Sequence, residues 1–182
     1  MNTSDPIIKY GIYDPARTNL GVLVLESFVP IAKNADNVVT LVRDLLLNQL
    51  ANTKSLVIDI RNNGGGIAGM ANKLPQLFSP MYFKNGKIKA LVTQINSDIF
   101  KSGQAGEEWK KAYSLVAEGD RYTPLVQFDS DESCNTLGQA YFKPVGVFNN
   151  GKCYSACDFF SANMQDNDIS IIFGEDGSTG AG

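Results

Sequence analysis

The sequence predicts an α/β domain, and three observations carry that prediction. Strand-like and helix-like segments alternate along the chain. A strand, a turn and a helix follow one another twice, once through Gly64, Gly65 and Gly66 and once through Asn150-Gly151 into Ser155. The 182 residues are 43% hydrophobic and 19% charged, enough for one well-filled core. In such an arrangement a site is expected at the carboxyl ends of the strands.

Ile7–Tyr13 and Leu20–Phe28 read as paired strands, because the turn residues Asp14, Pro15 and Asn19 separate two apolar runs. From Asp36 to Asn52, Val38, Val39, Leu41, Val42, Leu45, Leu46 and Leu50 recur at helical spacing, with Asp36 or Asn37 available as N-cap. Ser55–Ile60 reads as an interior strand in which Val57, Ile58 and Ile60 supply β-branched bulk. A helix is expected to open at Ile67 and to kink or end at Pro75. Residues at about 80–137 are less regular and read as an inserted segment, with a strand over Lys87–Gln94 and a helix over Gly106–Glu118. Regular order resumes with the strand Val145–Phe148, the turn Asn150-Gly151, a helix from Ser155 to Asp166, and a strand over Ile169–Phe173 before a glycine-rich tail.

Composition excludes several functions. The net charge of −3 comes from scattered acids and bases, so there is no basic stripe for nucleic acid. No apolar run approaches the ~20 residues that span a bilayer, and the polar segment Met1 to Pro6 has no signal-peptide pattern. Cys134, Cys153 and Cys157 allow one bridge plus one thiol, or three small buried side chains. A metal site would need a carboxylate to complete the set, because the chain contains no histidine; neither metal nor cofactor is expected. Gly177 to Gly182 lacks the lysine of a phosphate-binding loop.

Two segments carry the chemistry. Leu56-Val57-Ile58-Asp59-Ile60-Arg61-Asn62-Asn63-Gly64-Gly65-Gly66 delivers a strand into a glycine loop whose bare N–H groups can face an anion. Lys152-Cys153-Tyr154-Ser155-Ala156-Cys157-Asp158, running on to Met164-Gln165-Asp166, presents a serine at a helix start. Taken singly, the first is a turn and the second an N-cap. Together and in this order they resemble the C-terminal-processing, or tail-specific, serine peptidases. Those have Asp-Leu-Arg-x-Asn-x-Gly-Gly after an apolar strand, and Ser-Ala-Ser/Gly-Glu/Asp leading a helix.

The resemblance implies a Clp protease/crotonase-like core of repeated ββα units, covering the chain except the insertion. It implies one peptidase-core domain over 1–182, lacking an N-terminal part and shortened at its C-terminus. Ser155 would be the nucleophile, Ala156 one backbone oxyanion donor and the Gly65-Gly66 pair the source of the other. Asp59 and Arg61 are expected to pair structurally near the strand end. Some relatives take their general base from a lysine where this chain has Gly180. Others, of tricorn-like and chlamydial type, use a histidine from the N-terminal side and a glutamate from further on. The glycine-rich ending is nearer this second subgroup, so the general base is expected to be absent from these residues; Lys152, three residues before Ser155, is a weak substitute. The resulting expectation is a serine endopeptidase core acting outside the cytoplasm on peptide or protein C-terminal segments, inactive as it stands. The alternative is a non-catalytic ligand- or peptide-binding module on the same fold. Cys153 and Cys157 have no histidine to generate a thiolate, which argues against a cysteine peptidase.

Overall fold

Among the described residues, six strands lie side by side in chain order. β1 (Asn2–Asp5), β2 (Ile8–Tyr13) and β3 (Leu20–Leu25) are antiparallel neighbours, and β4 (Ser55–Asp59), β5 (Val145–Asn149) and β6 (Ile171–Gly174) extend the sheet in parallel. The computed structural model describes residues 2–31, 34–102, 106–177 and 179–180; Ser178, Ala181 and Gly182 of the glycine-rich tail lie outside them. β1 was not expected from its polar residues. An edge strand needs only the backbone of its neighbour, and Asn2 and Thr3 pair with Tyr10 and Lys9.

One face of the sheet is built for burial. Leu23, Leu25, Leu56, Ile58, Ile60 and Val147 alternate with less buried neighbours and meet helices there. α1 (Ala35–Asn48) turns Val38, Val39, Val42, Leu45 and Leu46 inward. Its N-cap is Asn34, two or three residues before the expected candidates, and the Asn34 side chain accepts from Asn37 N at 2.8 Å. α2 (Ala68–Lys73) passes into a 3-10 turn, Leu74–Leu77, with Pro75 in its first turn, where a missing N–H costs no hydrogen bond. α5 (Ala156–Asp166) contributes Phe160 and Met164, and Phe160 meets Phe28 with ring centroids 5.8 Å apart. The opposite sheet face carries Val57, Phe148 and Phe173 and is only partly covered.

The chain divides into two compact units, one of residues 1–84 with 131–182, the other of residues 85–130. The second lies within the segment read as an insertion. It holds α3 (Gln94–Lys101) and α4 (Glu107–Ser114), with its own small core of Trp109, Ala112, Tyr113 and Val126. The strand expected over Lys87–Gln94 does not form; only the single bridges Ile88↔Val126 and Leu91↔Tyr122 do. Thr93 instead caps α3, accepting from Asn96 N at 3.1 Å, so the local capping preference prevails over a short apolar run.

Candidate active site

The end of β4 is tied down before the glycine loop begins. Arg61 clasps Asp59 through Nε at 3.0 Å and Nη2 at 2.7 Å, and reaches Glu175 beyond β6 through Nη1 at 2.9 Å. This is the structural pairing expected of Asp59 and Arg61. Burial alone would raise the Asp59 pKa, but the hydrogen bonds and charge of Arg61 outweigh it and hold the carboxyl below its ordinary value of 3.8. A depressed carboxyl stabilises the fold above the ordinary carboxylate range and loses that contribution as pH falls through the lowered value. Asp59→Asn should therefore weaken the protein at pH 7, by about 1 kcal/mol or less at this solvent-edge site, and flatten its stability profile below about pH 4. Urea midpoints at several pH values check this.

Next, Asn62 takes a positive φ of 63°. Its N–H donates to Asn150 Oδ1 at 3.0 Å, and Asn150 Nδ2 returns a bond to Asn62 Oδ1 at 3.1 Å. Asn150 Oδ1 also accepts from Lys152 N at 3.1 Å, so one side chain fastens the glycine loop to the segment after β5. Asn63 is fully buried and points its amide two ways: Nδ2 donates to Leu25 O at 2.8 Å, and Oδ1 accepts from Gly65 N at 2.9 Å. The loop then runs beside Phe28, with Phe28 N on Gly65 O at 2.9 Å and Ile67 N on Phe28 O at 2.8 Å.

The serine turn packs directly on this loop. Tyr154 N donates to Asn63 O at 3.2 Å, and a Cβ built on Gly65 would lie 2.5 Å from Tyr154 O and 3.1 Å from Ala156 N. Gly65, at φ 93°, is the residue that lets the two segments touch. Ser155 stands at φ 55° and ψ −117°, outside the helix, with no side-chain cap hydrogen bond. It is exposed, and the turn closes through Cys157 N on Tyr154 O at 3.0 Å. A serine capping α5 would be extended, with its oxygen on a helix N–H. Ser155 is instead exposed at a positive φ that non-glycine residues rarely adopt.

Among the described residues, the N–H groups of Gly66 and Ala156 have no hydrogen-bond acceptor, whereas that of Gly65 is committed to Asn63. Cys153 and Cys157 form a disulfide across the turn, with Cα atoms 5.3 Å apart. Cys134 is buried and lies outside this bridge. Gly180 lies against the Tyr154 ring and donates its N–H to Cys153 O at 2.9 Å. Lys152 is exposed and lines a polar cleft of about 770 Å³ with Glu26, Asp59, Arg61 and Asp176. Sequence reading missed Asn150, which looked like half of a turn dipeptide, and Asn63, whose buried bracketing role leaves no periodic signal. No group of residues that could hold a metal ion occurs among the described residues.

An α/β core with parallel strands feeding a glycine loop and a raised serine turn is of the Clp protease and crotonase type. The family model for peptidase family S41 matches residues 19–182, and the chain belongs to that family. Solved structures agree in fold at low identity. Mature CPAF complexed with lactacystin is 16% identical, with a TM-score of 0.56 over 91% of this chain and 39% of that one. A Parabacteroides merdae ATCC 43184 protein described as a peptidase is 16% identical, with a TM-score of 0.57 over 94% of this chain and 43% of that one. A Bacteroides fragilis NCTC 9343 protein described as an S41 protease is 15% identical, with a TM-score of 0.53 over 95% and 39%. The chain thus spans about two fifths of the length of these structures. No curated protein matches it significantly.

Proposed function

We propose that the protein is the core of a serine endopeptidase that cleaves C-terminal segments of peptide or protein substrates through an acyl-enzyme on Ser155. The observation that carries this reading is Ser155 itself, exposed at positive φ, without a cap bond, on a turn packed against Gly65. Membership of family S41 supports it. Ser155 Oγ attacks the scissile carbonyl carbon as a base takes its proton; the tetrahedral oxyanion is met by backbone N–H groups, and collapse expels the amine and leaves an ester for water to hydrolyse. Ala156 N–H is one donor. Of the Gly65-Gly66 pair, Gly66 supplies the other, because Gly65 N–H is already held by Asn63. Such donors contribute about 2.7–4 kcal/mol each to the transition state.

The base comes from outside these 182 residues, which include no histidine and have Gly180 where one subgroup has a lysine. This favours the histidine-using subgroup and an inactive isolated core. An extracytoplasmic site of action suits a structural disulfide. No helix among the described residues is long and apolar enough to cross a membrane.

A fluorophosphonate probe read by intact mass tests the reading, applied to the longest natural form, to the 182-residue chain and to Ser155→Ala in each. Labelling of the long form alone, abolished by Ser155→Ala, is the expected result. Absence of labelling in every form would sink the peptidase reading and leave the binding module, which Gly180 in place of a lysine favours.

A further inference from the structure

We infer that the Cys153–Cys157 disulfide is a positioning element for Ser155, holding the serine turn in its positive-φ form; this inference rests on the peptidase reading of Ser155. The bridge encloses Tyr154, Ser155 and Ala156, the residues that present the hydroxyl and one free N–H. Both sulfurs are fully buried and anchored at their ends. Cys153 N donates to Asn150 O at 2.9 Å and Cys153 O accepts from Gly180 N at 2.9 Å, while Cys157 lies in the first turn of α5 with its sulfur 3.7 Å from Ile60 O. The bridge therefore joins a point fixed to the loop after β5 to a point fixed on α5 over the end of β4.

Between those points the backbone must reverse. With Tyr154, Ser155 and Ala156 all extended, the two Cα atoms would stand roughly 13 Å apart, the reach of four extended residue steps. The bridge holds them at 5.3 Å. Tyr154 N on Asn63 O, at 3.2 Å, sets the peptide from which the turn departs. A non-glycine residue at φ 55° persists only where its surroundings over-determine it, and no side-chain cap bond helps here. Closing so short a loop restricts the unfolded chain far less than closing a long one, so the local constraint is the bridge's distinctive contribution.

The test uses the longest natural form and two ways of opening the bridge. One is the double variant Cys153→Ala/Cys157→Ala. The other is reduction with a small dithiol, which gives up two electrons and two protons, leaves two cysteine thiols and itself becomes a cyclic disulfide. The maximal rate of fluorophosphonate labelling at saturating probe should fall at least about tenfold in both, with probe affinity little changed. Reoxidation should restore the reduced wild type. If the bridge were only a stability staple, opening it would lower Tm and leave labelling well below Tm unchanged. That outcome, with opening verified by mass, overturns the inference. If the bridged protein does not label at all, the peptidase reading fails, and a crystal structure of the double variant decides the bridge separately: Ser155 relaxed to negative φ supports the inference, and retained positive φ overturns it.

Discussion

Gly65→Ala is expected to destabilise the protein by about 3 kcal/mol or more and to slow labelling of Ser155 by more than about a hundredfold in the longest natural form. Both effects come from one contact. The added methyl would sit 2.5 Å from Tyr154 O, a backbone atom, and 3.0 Å from Ser155 Cβ, so relief requires the serine turn itself to move. The φ of 93° adds strain that no L side chain avoids. Displacing the turn by even 1 Å misaims the hydroxyl and the Ala156 N–H together. The neighbouring glycine supplies the control. Gly64 is exposed, and a Cβ there meets nothing within 4 Å, so Gly64→Ala should be neutral or slightly stabilising through the unfolded chain. Urea midpoints at constant m-value and labelling rates measure both. Equal behaviour of the two variants would show that the glycine loop does not press on the serine turn.

That contrast marks how far the sequence could be read. Periodicity located β2, β3, α1, β4, β5 and α5, because each buries a repeating apolar face, and their ends shifted by a few residues where caps such as Asn34 decided the boundary. β1 was illegible because a backbone ladder leaves no apolar pattern, and α3 because none of its residues is buried. Ser155 and the glycines could be picked out only through the family pattern. The three consecutive glycines look interchangeable in sequence, yet one is open, one touches the serine turn and one touches Phe28. Likewise a serine before a helix reads as an N-cap by propensity. Only the turn's φ of 55° and the missing cap bond separate an exposed hydroxyl from a cap. The reciprocal pair Asn62 and Asn150 joins positions 88 residues apart, and nothing local in either segment announces it.

Asn63 gives the second large effect, and its pH dependence makes the prediction specific. The side chain faces a donor on one side and an acceptor on the other, Gly65 N at 2.9 Å and Leu25 O at 2.8 Å, so only an amide oriented one way satisfies both. Asn63→Ala strands these two buried backbone groups and should cost about 2–4 kcal/mol, while freeing Gly65 N–H and loosening the loop that Phe28 and Tyr154 pack against. Asn63→Asp keeps the shape and changes only the chemistry. At neutral pH the introduced carboxylate still accepts from Gly65 N but presses a charged oxygen on Leu25 O in a dry site, so the variant should be at least as unstable as Asn63→Ala. Protonation turns that oxygen into a donor and restores both bonds, which raises the carboxyl's folded pKa above its unfolded value near 4. Its penalty relative to wild type should then be smallest below about pH 4, grow as pH rises through the raised value, and stay constant above it. This is opposite in sign to the acid loss expected from the depressed carboxyl of Asp59 in the wild type. Parallel urea titrations of wild type, Asn63→Ala and Asn63→Asp between about pH 3 and 8 resolve the two trends. A penalty for Asn63→Asp that did not change with pH would mean that the side chain at 63 does not bridge Leu25 and Gly65.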